Sequence, residues 1–191
     1  MLTQRSMRML IITGLMLSIF ASAQVHLLSA QAATAEPPYP ITITMTEYKF
    51  SIEGQADATP LQLETGKAYE LHFKNAGTLE HEVLIGSGPI IIKDGFHHDF
   101  HHLLLSDVEV VLSGQMNGGD FTIGVAGLNE FQLKAGQEMV TTFTVPDNKV
   151  GAWEIGCFVS LDVNAPAQDP GAGHYDVGMH IPVNVVAGNG A

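Results

Sequence analysis

The stretch G-K-A-Y-E-L-H-F-K-N-A-G-T-L-E-H-E-V, residues 66–83, alternates apolar and polar residues and then breaks at a turn. Tyr69, Leu71 and Phe73 fall on one side of an extended chain, and their polar neighbours fall on the other side. Asn75 and Gly77 tolerate the tight backbone of a turn. The stretch therefore predicts a half-buried β-strand, a short turn and a second strand near residue 82.

The same period of two recurs on both sides of this stretch. Segments with strand character lie at 41–45, 61–63, 69–73, 82–86, 108–112, 120–125, 138–145, 152–158 and 180–186. Residues with turn chemistry separate them, as in Pro146-Asp147-Asn148. Many short strands, frequent turns and no long segment with a 3.6-residue period indicate an all-β fold, an antiparallel β-sandwich of Greek-key type.

A histidine-rich segment interrupts this regular pattern. The sequence F-H-H-D-F-H-H places four histidines around one aspartate, at His97, His98, His101 and His102. A short helix near 97–106 is compatible with the spacing, and it would put the pairs 97/101 and 98/102 each on one helix face. Such pairs can bind Cu(II), Zn(II) or Ni(II). The alternative is a polar loop whose imidazoles face solvent, so the segment is a candidate second metal site.

The N-terminal residues have the character of an export signal. Arg5 and Arg8 precede an uncharged apolar run, and small residues follow it. We expect residues 1–35 to be a cleaved signal peptide, with an uncleaved membrane anchor as the alternative. Residues 36–191 would then form one domain, periplasmic or secreted, with no stable membrane insertion of its own.

The charge balance narrows the range of partners. Residues 36–191 contain six lysines and twenty acidic residues, and the whole chain has a net charge of -12. An acidic surface repels phosphate groups and attracts basic protein surfaces. Nucleic-acid binding is therefore not expected, and a protein partner with a basic patch is.

Cys157 is the one cysteine of the chain, so no internal disulfide can form. An unpaired thiol in an exported protein is explained if it binds a metal, and the alternative is an inert core cysteine. Potential metal donors surround it in the sequence, with His81 earlier and His174 and Met179 later. Two imidazoles, a thiolate and a weak thioether suit both Cu(I) and Cu(II), whereas a structural zinc site takes four strong ligands.

Each of these residues also has an ordinary structural interpretation. His81 could be a surface histidine, His174 a loop histidine and Met179 a core methionine. Trp153 and Phe158, which flank the cysteine, are expected to be core-packing residues. The order and spacing of the four donors, rather than any one of them, carry the prediction.

Three segments together resemble the cupredoxins. N-A-G-T-L-E-H-E-V (75–83) is similar to their first-histidine strand, while F-T-V-P-D-N-K-V-G-A-W-E-I-G-C-F (143–158) and P-G-A-G-H-Y-D-V-G-M-H (170–180) are similar to their closing strands and ligand loop. The resemblance implies a cupredoxin-like sandwich with one type 1, or blue, copper ion that alternates between Cu(I) and Cu(II). It implies the ligands His81, Cys157, His174 and Met179.

The ligand loop departs from the family pattern. In many bacterial cupredoxins P-G-H-Y follows the cysteine within a few residues, whereas here S-L-D-V-N-A-P-A-Q-D (160–169) intervenes. The enlarged loop is expected to affect the rigidity, colour and potential of the site more than its existence, because the cost of closing a loop grows slowly with length.

The resulting hypothesis is an electron carrier without substrate chemistry of its own. Its partner would be a c-type cytochrome or an oxidase, docking on an apolar patch around an exposed edge of His174. We do not expect an enzyme, because the protein itself fills the copper coordination and the sequence shows no second ligand set of the multicopper-oxidase kind. The alternatives are a copper-binding protein for tolerance or delivery, aided by the 97–102 histidines, and a sandwich domain that has lost its metal.

Overall fold

The computed structural model describes residues 36–91, 98–116, 118–161 and 172–188, so the predicted leader lies outside the described residues. Within these ranges the strands are β1 (Tyr39–Thr46), β2 (Lys49–Ile52), β3 (Leu61–Glu64), β4 (Ala68–Asn75), β5 (His81–Ile91), β6 (His98–Leu103), β7 (Glu109–Met116), β8 (Gly119–Ala126), β9 (Glu130–Leu133), β10 (Glu138–Thr144), β11 (Gly151–Gly156) and β12 (His180–Val186). Two short 3₁₀ turns lie at Asp147–Lys149 and His174–Val177. No helix in the described residues is long and apolar enough to cross a membrane.

The strands form two sheets that share one core. The first sheet has the order β2-β1-β4-β10-β7-β8, and the second has the order β3-β12-β11-β5-β6 with β9 beside β5. The predicted all-β sandwich is confirmed. The sheets are mixed rather than wholly antiparallel, because β1 runs parallel to β4 and β3 runs parallel to β12. Since β3 belongs to the second sheet, the chain crosses between sheets before β4 returns beside β1 in the same direction.

Alternation along the strands builds the core. Tyr69, Leu71 and Phe73 of β4 are buried, and Val83 and Ile85 of β5 face them from the second sheet. Full burial of side chains of this size contributes roughly 1.5–3 kcal/mol each. The inner face of β5 is therefore fixed, and since His81 has the same parity as Val83 and Ile85, its side chain lies on that face.

The described part of the histidine-rich segment, from residue 98 onward, is a strand followed by a turn, so the short helix predicted near 97–106 is wrong there. Residues 98–103 form β6, which pairs antiparallel with an extended β5, and a turn follows. Pairing along the length of β5 overrides the local helical spacing. Residues four apart in a strand are about 13 Å apart along the chain, rather than the about 6 Å of a helix. The helical spacing that suggested pairing residues 98 and 102 therefore does not apply.

A second, smaller apolar cluster lies on the outer face of the second sheet. Its buried members are Leu84, Phe100 and Phe158, and Leu103 and Tyr175 pack against them. We call these five residues the outer cluster. Phe100 lies across two glycines of the sheet: a Cβ at Gly86 would be 2.4 Å from its side chain, and one at Gly156 would be 3.0 Å away. The Phe100 ring therefore lies across β5 and β11 only because these two positions carry no side chain.

Candidate metal centre

Asn75 and His81 lie where the sequence predicts them, at the end of β4 and the start of β5. The buried Asn75 amide donates to the carbonyls of Leu79 and Leu133 at 2.7 and 2.8 Å, and its side-chain oxygen accepts from the Gly77 N–H at 3.0 Å. These bonds fix the turn between the two strands, and the turn places His81 at one end of the sandwich.

Cys157 and His174 meet at the same end although seventeen residues separate them. Cys157 follows β11, and His174 opens the second 3₁₀ turn. The His174 N–H donates to the Val159 carbonyl at 2.8 Å, and the Leu161 N–H donates to the Ala172 carbonyl at 2.9 Å. The enlarged loop is thus closed at its base, and the additional residues do not separate the cysteine from the histidine.

Met179 is fully buried and bonded through its backbone to the other two C-terminal candidates. Its N–H donates to the His174 carbonyl at 3.0 Å, and its own carbonyl accepts from the Cys157 N–H at 3.2 Å. The turn between His174 and Met179 passes through Gly178 at a φ of 101°, a left-handed conformation that favours glycine. The Met179 backbone is therefore held beside those of Cys157 and His174.

The donor atoms of the two histidines and the cysteine form a compact triangle. His81 Nδ1 lies 3.3 Å from His174 Nδ1, and Cys157 Sγ lies 3.4 Å from His174 Nδ1 and 3.9 Å from His81 Nδ1. A point equidistant from the three atoms is about 2.1 Å from each, which is the length of a metal–nitrogen bond and slightly less than that of a metal–sulfur bond. All three side chains are buried, so the triangle fits one ion shielded from water.

Burial also sets the protonation states that a soft cation needs. It lowers the pKa of His174 to about 4, with a smaller contribution from the nearby His81. It lowers the pKa of His81 as well, against the opposing charge of Glu47. Burial raises the pKa of the Cys157 thiol to about 11. At neutral pH both imidazoles are therefore uncharged donors, and an incoming cation must displace the thiol proton.

Glu82 takes part in the site through both its backbone and its side chain, which the sequence analysis did not predict. Its N–H donates to Cys157 Sγ at 3.3 Å, and its carboxyl group accepts from the Phe158 N–H at 3.3 Å. Burial, followed by repulsion from Glu130, raises the pKa of Glu82 to about 7. The one signal in the sequence is an acidic residue inside the apolar run of β5.

The edge of His174 is covered, contrary to the exposed edge expected from the sequence. Its relative exposure is 3%, and the Tyr48 ring stands edge-on against it with the ring centroids 4.9 Å apart. Tyr48 has a φ of 58°, which is uncommon for a residue with a Cβ. Beside it, the Glu47 carboxylate accepts from the N–H and hydroxyl of Thr78 at 2.6 and 2.8 Å. These bonds hold the β1–β2 turn against the turn that precedes His81.

Of the second histidine cluster, the structure describes the side chains of His101 and His102. His101 and His102 are exposed neighbours on β6 with ring centroids 6.5 Å apart, and His97 lies outside the described residues. Within the described parts of the chain, the group formed by His81, Cys157 and His174 is the one set of three or more histidine, cysteine or acidic side chains close enough to share an ion.

No family model matches the chain, and no curated protein matches it. Among solved structures it is similar to a multicopper oxidase from Campylobacter jejuni, at 15% identity over 80% of this chain and 31% of that one, with a TM-score of 0.49. It is similar to auracyanin from Roseiflexus castenholzii, at 18% identity over 79% of this chain and 99% of that one, with a TM-score of 0.41. The chain thus spans about a third of the oxidase and nearly all of the auracyanin.

The chain is also similar to a copper-containing nitrite reductase from Thermus scotoductus, at 11% identity over 79% of this chain and 31% of that one, with a TM-score of 0.44. In its own strand order and in the position of its histidines and cysteine at one end of the sandwich, the chain has a cupredoxin-like fold. The buried His81, Cys157 and His174 group fits a single type 1 copper site.

Proposed function

We propose that the protein is an extracytoplasmic electron carrier that holds one copper ion through His81, Cys157 and His174, with Met179 as the weak fourth ligand. The observation that carries this proposal is the buried triangle of two imidazole nitrogens and one sulfur. When bound, copper supplies a one-electron couple between Cu(I) and Cu(II).

The residues around the triangle favour fast electron exchange because they restrict movement. The turns before His81 and after His174 are fixed by backbone and Asn75 hydrogen bonds. The Glu82 N–H directed at the sulfur stabilises its thiolate charge. Donors held in place by such contacts reorganise little when the charge of the ion changes.

A carrier is favoured over an enzyme by the donor set. Two imidazoles, a thiolate and a thioether supplied by the protein leave no coordination position for a substrate. The acidic composition favours a redox partner with a basic docking surface, such as a c-type cytochrome or an oxidase. The predicted leader over residues 1–35 supports a periplasmic or secreted location.

A second candidate function is copper tolerance or delivery. Exposed His101 and His102 favour it, since they offer imidazoles at the surface. Under this alternative the protein binds more than one copper ion per chain, and the additional ions depend on β6 rather than on Cys157.

A copper titration followed by visible absorption and electron paramagnetic resonance tests both functions. The purified protein is compared with Cys157→Ser and with a His101→Gln/His102→Gln double variant as the matched control. We expect an intense thiolate-to-copper band that saturates at one equivalent, is lost in Cys157→Ser and is unchanged in the double variant. Colourless binding that survives Cys157→Ser would refute the carrier, and extra equivalents lost in the double variant would support delivery.

A further inference from the structure

We propose that electrons pass between the copper site and the surface through a stack of three rings, Phe158, Tyr175 and His180, on the outer face of the second sheet. This inference rests on the proposed function. It assigns the electron-exchange surface to the neighbourhood of His180 rather than to the edge of His174.

The first observation is that the His174 edge is not available for contact. His174 has a relative exposure of 3%, and the Tyr48 ring lies against it. The turn that carries Tyr48 is held by the Glu47 hydrogen bonds to Thr78. A partner docking at this side would be separated from the imidazole by the tyrosine.

The second observation is an aromatic stack that starts next to two predicted ligands. Phe158 directly follows Cys157 in the chain, and Tyr175 directly follows His174. The rings of Phe158 and Tyr175 are stacked, with centroids 4.8 Å apart and planes 16° apart. The rings of Tyr175 and His180 are also stacked, at 4.6 Å and 25°.

The stack ends at the surface. The His180 side chain is 39% exposed, whereas Phe158 is buried and Tyr175 is half-buried. Electronic coupling falls steeply with distance, and it falls more steeply across gaps than across rings in contact. A continuous series of contacts from Cys157 to His180 is therefore a better route than one that crosses loosely packed side chains.

The surroundings hold the three rings in register. Phe100 packs edge-on against both Phe158 and Tyr175, with centroids 5.1 and 6.1 Å away. The Tyr175 hydroxyl donates to Glu154 Oε2 at 2.5 Å, and the same oxygen lies 3.6 Å from His180 Nδ1. Glu154 thereby links the last two rings from the side.

The surface around His180 suits a basic redox protein. Glu154 is partly exposed, and Asp176 and Val177 are exposed in the turn that carries Tyr175. Acidic groups beside an apolar side chain attract a lysine-rich docking face. In the transfer itself, Cu(I) loses one electron and becomes Cu(II). The partner's oxidised metal centre gains that electron, so its oxidation state falls by one, and no proton is transferred.

A photochemical experiment measures this route directly. A bis(bipyridine)ruthenium group is attached to His180, in a background where His26, His72 and the histidines of 97–102 are replaced by glutamine. A laser flash in the presence of a dissolved oxidative quencher, such as hexaammineruthenium(III), takes one electron from the excited Ru(II) label. The resulting Ru(III) draws one electron from Cu(I) and returns to Ru(II), and the rate is followed by the copper absorbance. The matched control carries the label on His72 of β4, whose side chain is 34% exposed, with His180→Gln.

We expect Tyr175→Leu to slow the reaction of the His180-labelled protein by about tenfold or more, because loss of the ring opens a gap in the contacts. Tyr175→Phe keeps the ring and should react at the unchanged rate. In the His72-labelled protein, Tyr175→Leu should leave the rate unchanged. Equal slowing with both labels, or no slowing with either, would overturn the proposal.

Two further readouts separate this inference from the function on which it rests. Loss of the thiolate-to-copper band in the unsubstituted protein would refute the copper site itself, whereas a normal band with an insensitive rate would refute the stack alone. In the metal-free protein, the Tyr175 ring current should shift the His180 imidazole proton resonances, and Tyr175→Leu should abolish that shift. Unshifted resonances would overturn the stack without any copper present.

Discussion

The protein has two groups of histidines, and they differ in how the fold arranges them. His81 and His174 are 93 positions apart in the chain, yet their Nδ1 atoms are 3.3 Å apart and buried beside a thiol. His101 and His102 are adjacent in the chain, yet both are exposed and neither belongs to a group of three donors in the described residues. Histidines that are adjacent in the sequence are therefore a weaker indication of a metal site than single donors placed where several strands end together.

The difference follows from strand geometry and burial. Neighbouring residues on a strand point to opposite faces, so consecutive histidines diverge. Strands that end together at one end of a sandwich can direct single side chains to a common point. Burial of the central group also keeps its imidazoles uncharged. Copper affinity should therefore depend on His81 and His174 and not on His101 and His102.

The largest expected effect is the loss of copper binding in His174→Ala. Removal of one member of the triangle should weaken copper affinity by more than the roughly 10–100-fold typical of substitutions at residues that only hydrogen-bond to metal ligands. His101→Ala/His102→Ala is the matched control and should retain unchanged affinity. Competition with a chelator of known affinity measures the copper affinity of both variants. Equal losses of affinity would show that the two groups of histidines do not differ in copper binding.

The next effect concerns β6, which stabilises the folded protein through the packing of Phe100 rather than through its histidines. Phe100→Ala removes the buried ring that crosses Gly86 and Gly156, and it should lower the free energy of unfolding by about 3–5 kcal/mol. His101→Ala on the same strand should change it by no more than about 0.5 kcal/mol. Denaturant unfolding of both metal-free variants measures the difference, and similar values would contradict this role of β6.

A smaller effect is expected at the turn that places His81. Asn75→Ala leaves the Leu79 and Leu133 carbonyls without their side-chain donor, and it should lower the free energy of unfolding by about 1–3 kcal/mol. Asn148→Ala, at an exposed position, is the control and should be close to neutral. If thermal unfolding finds the two variants equally stable, the turn does not depend on the asparagine.

The smallest effect is the pH dependence of the buried group. Because the Cys157 pKa is raised to about 11 and the His174 pKa is lowered to about 4, binding at neutral pH releases the thiol proton and none from the imidazoles. Between pH 7 and pH 8 copper affinity should therefore rise about tenfold, which is about 1.4 kcal/mol. Calorimetry in buffers of different ionisation enthalpy counts the protons, and a pH-independent affinity would contradict a thiol that is protonated before binding.

The sequence predicted most of the core strands because their side chains alternate. The boundary between Asn75 and His81 was also predictable, since turn residues separate two alternating segments. The strand at 98–103 was not, because its partner is the free length of β5, and the four-residue spacing of its histidines suits a helix equally well. Only pairing with a strand already in place distinguishes the two structures.

The donor residues of the candidate site could be predicted from the sequence, but the residues that pack around them could not. The types and order of His81, Cys157, His174 and Met179 are visible in the sequence. The ring of Tyr48 over His174 depends on a turn with positive φ at a residue that rarely adopts it. The stacking of Tyr175 on His180 depends on the turn between them and on Gly156 beneath the ring. Such contacts arise from tertiary packing, which has no local signature.

The hydrogen bond at the base of the ligand loop allows the length of the loop to change without a change in the metal donors. The Leu161 and Ala172 hydrogen bond lies between the metal donors and whatever sequence the loop carries beyond it. Insertions or deletions beyond that pair can accumulate while the donor geometry is inherited intact. For protein engineers, the same position is a natural point at which to graft a recognition peptide next to a redox centre.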